Sequence, residues 1–142
     1  MHLSKRGEYG LRAMIGLARS TSEEHRLTIN EIAENENIPS KFLEQILLSL
    51  KNAGLLQSKM GAGGGYYLAH PAEDITLGQI KRVLDGPIAP IRCVSQMAYE
   101  PCGCPDEERC GLRLAMKDVR DAISDILDNT SLSDVLARIE AV

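Results

Sequence analysis

Four cysteines, Cys93, Cys102, Cys104 and Cys110, fall within 18 residues with the spacing C-x8-C-x-C-x5-C. Thiolates are the usual ligands of iron–sulfur clusters and good ligands for zinc. In a chain that stays in a reducing compartment, clustered thiols hold a metal or cycle between redox states more often than they form structural disulfides. Paired C-x₂₋₄-C knuckles, the usual mark of a structural zinc site, are absent here. Three chemistries stay open on spacing alone: an iron–sulfur cluster, a zinc site, and a pair of thiol switches that form disulfides on oxidation. A second feature is the glycine-rich run MGAGGG ahead of Tyr66-Tyr67-Leu68. It matches neither GxxxxGK(S/T) nor a turn that opens a helix, which argues against a nucleotide loop. His2, His25 and His70 all sit in polar or terminal segments far from the cysteines, and no GxSxG or HExxH pattern occurs. The chain is expected not to be an enzyme and to have no small-molecule substrate.

The elements that must position these groups can be read from hydrophobic period and caps. Lys5 to Ser20 reads as a helix with Leu11, Met14, Ile15 and Ala18 on its apolar face. After the polar stretch STSEEHR, Thr28-Ile29-Asn30-Glu31 forms a capping box that opens a short helix burying Ile29, Ile32 and Ala33. The polar stretch ENEN makes a turn, and Pro39 suits the first turn of the next helix, where a missing N–H is tolerated. That helix runs to about Asn52 with Leu43, Ile46, Leu47 and Leu50 as its stripe, and Gly54 ends it. Leu55–Lys59 and Tyr66–Leu68 flank the glycine run as a β-hairpin. A second capping box, Thr76 to Gln79, opens a helix to about Asp85, and DGPIAP breaks the chain after it. Residues 93–110 read as a loop. Beyond it Leu112, Met116, Val119, Ile123 and Ile126 recur at steps of 4, 3, 4 and 3, the seam of a long helix that packs on a partner helix. Packing of that face on the chain's own core is the competing expectation. A last short helix is capped by Ser131 and Asp134.

Helix, short helix, longer helix and hairpin in that order is the layout of a winged helix-turn-helix. The fold class expected is therefore mostly α with a small β-hairpin wing. Residues 1–86 would form the DNA-binding domain, 87–110 a cysteine-rich loop, and 111–142 the dimerisation helix and C-terminal helix. At 142 residues, with 44% hydrophobic and 25% charged residues, the composition is that of a globular protein. Aromatics are only 4%, so the core must be aliphatic. No run of about 18 apolar residues exists to cross a membrane, and the first residues lack a secretory signal, so a cytoplasmic location is expected. The net charge of −4 is unevenly spread: residues 1–92 carry 11 Lys and Arg against 10 acids, residues 93–142 carry 5 against 10. The first part is thus free to present a local basic face to a phosphate backbone.

The third helix of a winged helix enters the major groove. Its exposed face here is Ser40, Lys41, Glu44, Gln45 and Ser49. Gln45 can pair with adenine in two hydrogen bonds, and Glu44 can accept from a cytosine amine. Lys41 and Lys51 suit phosphates. In the wing, Gly63, Gly64 and Gly65 ahead of Tyr66 leave the tip without side chains, so its backbone can approach a sugar-phosphate edge.

LSKRGEYGLRAM, FLEQILLSLKNAGLL and GAGGGYYL resemble the Rrf-two family of bacterial winged helix-turn-helix regulators. The resemblance runs from about Leu3 to Leu136. It implies a homodimeric transcription factor, bound to a palindromic operator in double-stranded DNA, whose long C-terminal helices cross. It further implies an iron–sulfur cluster, 2Fe–2S or 4Fe–4S, in the cysteine loop that sets DNA affinity. On the family's pattern Cys93 matches the first ligand, and Cys104 and Cys110 match the last pair by their five-residue separation. Cys102 is then extra, or replaces Cys104. Where some relatives place a histidine ligand, this chain has Arg113, which cannot ligate. Others use an acidic residue near the N-terminus, reaching across the dimer, and Glu8 lies at the matching place. Glu8 is equally read as a surface carboxylate beside Arg12. Arginine is common before the family's wing glycine. Here Met60 takes that place, with Lys59 adjacent.

Overall fold

A computed structural model describes residues 2–20 and 25–142. Among them lie six α-helices and one hairpin: α1 (Lys5–Ser20), α2 (Ile29–Glu36), α3 (Ser40–Asn52), β1 (Leu56–Lys59), β2 (Gly65–Leu68), α4 (Leu77–Asp85), α5 (Gly111–Asp128) and α6 (Leu132–Glu140). Most of the polar stretch expected to break the chain after Ser20 lies outside the described residues. No described helix is long and apolar enough to cross a membrane.

The caps set the helix starts as the sequence predicts. Thr28, Thr76 and Ser131 each accept from the N3 backbone N–H, and the N3 side chains of Glu31, Gln79 and Asp134 return the bond. Asn37, at φ 54°, ends α2 in the left-handed conformation that asparagine tolerates. Pro39 proves to be the residue before the first turn of α3 rather than within it. Its fixed φ and missing N–H suit either place.

The core is aliphatic. Leu43, Ile46, Leu47 and Leu50 are fully buried from α3, together with Ile32, Leu56, Ile75, Ile80 and Leu132. Helix α1 runs through the centre and touches α2, α3, α4, α6 and β2. Its buried face is Gly7, Gly10, Ala13, Met14 and Leu17, while Leu11, Ile15 and Ala18 are only half-buried. The face read from apolar period is thus rotated. Two glycines carry the closest approach: a Cβ at Gly10 would sit 1.9 Å from Leu84 Cδ1. Hydrophobicity does not score a residue whose use is to have no side chain. Ile29 is also only half-buried.

Helix α6 packs on α1, and Leu132 reaches the same core. Leu77 N donates to Thr130 O at 2.9 Å and Leu132 N to Ile75 O at 2.9 Å, stitching both ends of the α5–α6 turn to the start of α4. Between them α5 has no buried residue. Leu112, Val119 and Ile126 are exposed at 62%, 39% and 66%, and Met116 and Ile123 are half-buried. The seam is therefore not spent on the chain's own core.

Candidate nucleic-acid interface and cysteine loop

Burying the four apolar residues of α3 turns its other side to solvent. Ser40, Lys41, Glu44 and Gln45 are all exposed, as are Lys51 and the apolar Phe42 and Leu48. Ser49, offered by the sequence as a base-reading residue, is engaged instead within the fold. It is half-buried, and its hydroxyl accepts from Arg6 Nη2 at 2.6 Å. An open groove of about 450 Å³ separates the N-terminal ends of α2 and α3. Thr28, Ile29, Asn30, Ser40, Lys41 and Glu44 line it. The start of α3 has no side-chain cap, and that of α2 keeps only the N–H groups its Thr28 cap leaves over; such helix starts with their positive dipole ends suit a phosphate.

The hairpin is antiparallel, with Leu56 opposite Leu68 and Lys59 opposite Gly65. It is fastened to the chain ahead of α2 by a two-bond bridge, Tyr66 N to Leu27 O at 2.7 Å and Leu27 N to Tyr66 O at 3.1 Å. Arg26 Nε donates to Gly63 O at 3.1 Å and steadies the turn. No sequence pattern marked Arg26 for this, because the bond joins segments 37 residues apart. The wing glycines divide by role. A Cβ at Gly64 would lie 2.3 Å from Lys59 O, and one at Gly65 would lie 2.5 Å from Leu27 O. Gly63 has nothing within 4 Å and is glycine for its φ of 72°. Two of the three glycines thus have a close approach inside the protein to explain them, in addition to any approach to a ligand. Met60 projects at 94% exposure, next to the exposed Lys59.

The cysteine loop begins at a 3₁₀ turn, Arg92–Val94, and ends at Cys110, which immediately precedes α5. Cys93 is buried, Cys102 and Cys104 are exposed, and Cys110 is half-buried. The sulfurs influence one another in chain order. Cys104 N donates to Cys102 Sγ at 3.4 Å, and the Cys104 thiol donates to the same sulfur. That holds the Cys102 thiol below its ordinary pKa and pushes Cys104 up to about 11. Cys110 adds to the upward shift on Cys104. Burial raises Cys93, with the charges of Cys102 and Glu107 adding to it. Among the described residues no three His, Cys, Asp or Glu side chains converge as a ready metal site. The donor set nonetheless fits a thiophilic group: four sulfurs in one loop, each within electrostatic reach of the next.

Two arginines of α5 root this loop. Arg113 Nε donates to Cys93 O at 3.4 Å, and Arg120 Nη1 to Val94 O at 2.7 Å. Arg113 also lies 3.6 Å from Glu107, whose other neighbour is the Tyr99 hydroxyl. The residue that cannot ligate thus holds the backbone of one that can. Glu8 pairs with Lys5 at 3.6 Å and Arg12 at 3.9 Å on its own helix, and among the described residues no cysteine is one of its partners.

Comparison with known proteins follows the same lines. A family model described as Rrf2, iron-dependent transcriptional regulator, matches residues 3–138. An rrf2-like HTH-type transcriptional regulator of Rhodobacter capsulatus is 38% identical over 138 residues, covering 95% of this chain and 92% of its own. The solved structure of CymR, the global cysteine regulator of B. subtilis, is 36% identical with a TM-score of 0.80, covering 97% of this chain and 98% of that one. The structure of T. potens IscR is 31% identical with a TM-score of 0.77, covering 98% and 88%.

Proposed function

The chain belongs to the Rrf2 family of transcriptional regulators, a non-enzymatic class, and from that premise we propose that it acts as a homodimer whose grip on a palindromic operator is set by an iron–sulfur cluster in the cysteine loop. The α5 seam of Leu112, Met116, Val119, Ile123 and Ile126 supports the dimer, since one chain leaves it uncovered. Ser40, Lys41, Glu44 and Gln45 meet base edges and nearby phosphates in the major groove, while Lys51, Lys59 and the wing from Gly63 to Tyr66 hold the backbone. Residues 1–86 then serve as the reading head, 87–110 as the sensor, and 111–142 as the joint between copies. Cys93, Cys102, Cys104 and Cys110 supply the thiolates for the cluster. Three of these thiolates act together, and the fourth position falls either to the remaining cysteine or to Glu8 reaching from the partner's α1. When bound, an iron–sulfur cluster supplies a redox-active, oxidant-sensitive crosslink between its ligands.

The observation that carries this reading is the root of the loop. The carbonyls of Cys93 and Val94 are both held by guanidinium groups of α5. A change that orders or frees the loop therefore acts on the helix that sets the distance between two reading heads. Half-sites lie about one DNA turn apart, so a small rotation of the heads alters affinity. The lowered thiol of Cys102 beside Cys104 favours one other reading, a thiol/disulfide switch without iron; a zinc site is a separate, third reading.

Anaerobic reconstitution with iron and sulfide tests the two together. The expected product is coloured and binds a palindromic duplex with an affinity differing about 5–150-fold from the cluster-free protein at matched salt. A folded but colourless product ends the cluster reading and leaves the thiol switch. A coloured product that binds with unchanged affinity ends cluster control.

A further inference from the structure

The junction where α4 gives way to the cysteine loop, residues 84–87, is gripped from three sides. Ser4 N donates to Asp85 Oδ2 at 3.0 Å, and the Ser4 hydroxyl donates to Asp85 Oδ1. The carboxylate lies flat on the backbone of α1, where a Cβ at Gly7 would come within 2.4 Å of Asp85 Oδ2. From α4 itself the buried Lys81 sends its ammonium to Pro87 O at 2.9 Å and Gly86 O at 3.3 Å. The third hold is Arg6. Its Nε donates to Leu84 O at 3.2 Å, a last-turn carbonyl with no partner inside its own helix. Its Nη2 donates to Ser49 Oγ at 2.6 Å on α3. One planar guanidinium therefore touches both the last turn of α4, which leads into the loop, and the helix whose exposed face presents Glu44 and Gln45.

We infer that Arg6 is a positioning residue for DNA recognition: it ties the Leu84 carbonyl to Ser49 and so transmits the state of the cysteine loop to α3. This rests on the sensor reading above. The fork of an arginine fixes its two acceptors relative to one another, which a single ammonium cannot do. Ser49 lies one helical turn from Gln45, on the adjoining part of the same helix. A shift of the 84–87 junction is thereby passed to the recognition helix through a directional polar link, beside the apolar packing of Leu84 in the shared core. Helix α5, which follows the loop, is tied back to α4 at its far end by Arg82 to Asp128 at 2.6 and 2.8 Å.

The test compares wild type, Arg6→Lys and Ser49→Ala, each prepared cluster-free and after anaerobic loading with iron and sulfide. Fluorescence anisotropy on one labelled palindromic duplex at fixed salt gives two Kd values per protein, and the quantity read is their ratio. In wild type the ratio is expected to be about fivefold or more. In both variants it falls towards one while the cluster absorbance stays that of wild type and Tm falls by only a few degrees, the size expected for lost hydrogen bonds. The double variant adds nothing further, because both substitutions cut the same link. Without DNA, loading alters amide exchange at residues 46–52 of wild type and leaves it unaltered in the variants. Variants that keep the wild-type ratio while both Kd values move together would reduce Arg6 to a structural contact and overturn the inference, with the sensor reading intact. A wild-type ratio of one would remove the sensor reading and this inference with it. Ser49→Ala removes no charge and probes the link from its other end should Arg6→Lys fold poorly.

Discussion

Replacing Gly65 with alanine tests how the wing is fastened. Gly65 sits at φ 145°, and an added Cβ would lie 2.5 Å from Leu27 O, 2.6 Å from Leu27 C and 3.0 Å from Thr28 N. All three atoms are backbone, so no side chain can rotate away. The bridge between Leu27 and Tyr66 must open, breaking its two backbone hydrogen bonds. Each contributes about 0.5–1.5 kcal/mol net. Holding a non-glycine residue in so sparse a backbone region costs about 1–3 kcal/mol more. Together these give a loss of about 4 kcal/mol, or roughly 8–16 °C in Tm for a domain of this size. Gly63→Ala is the internal control. Its φ is 72° with nothing within 4 Å. The left-handed conformation costs about 1–2 kcal/mol, partly offset by the lower entropy of the unfolded chain. A Tm fall of about 2–4 °C is expected there. Thermal melts of both variants at one pH and salt decide the matter. Coincident melts would mean that the wing does not press on the segment before α2, and the bridge would lose its structural role.

Two further outcomes follow from the surface. Gln45→Ala is expected to weaken specific binding by about 1–3 kcal/mol and to relax the preference at one base pair. Equal losses on specific and random duplexes would remove its base-reading role. Arg82→Ala should cost about 1 kcal/mol at neutral pH, the upper end for a partly exposed pair, because its geometry is bidentate. The Arg82 guanidinium holds the Asp128 carboxyl below the usual carboxylate range. A depressed folded-state pKa stabilises above the unfolded value of about 4 and is lost as the pH falls through the folded value. Urea melts of wild type and variant should therefore differ at pH 7, draw together as the pH falls below about 4, and meet only below the folded-state value. A gap that persists in acid would assign the loss to packing over Gly78, where a Cβ would lie 1.9 Å from Asp128 Oδ1.

The rooted loop gives the molecule an unusual economy. Helix α5 makes its chief contacts within the chain with α4 and the Cys93 turn. It is held at both ends by arginine: Arg113 and Arg120 on the loop side, Arg82 on the head side. Its apolar seam is left over. A helix with so little of its own core is positioned by polar links, and those respond to local change more readily than a packed interface does.

What the sequence alone determined was local. Thr28, Thr76 and Ser131 start their helices because a capping box closes within four residues. The α3 stripe is legible because four aliphatics repeat at helical period, and all four are buried. The glycine run announces a turn for the same reason. Tertiary structure decided everything carried by residues far apart in the chain. It turned α1 onto its glycine face because Leu84 presses there, 74 positions away in the numbering. It withdrew Ser49 from the exposed face of α3 by placing Arg6 beside it, 43 residues away. It made Gly65 answer to Leu27, and Arg113 to the carbonyl of Cys93. Periodicity reports which residues prefer to be inside, whereas close approach and shared hydrogen bonds depend on what the folded chain brings opposite them.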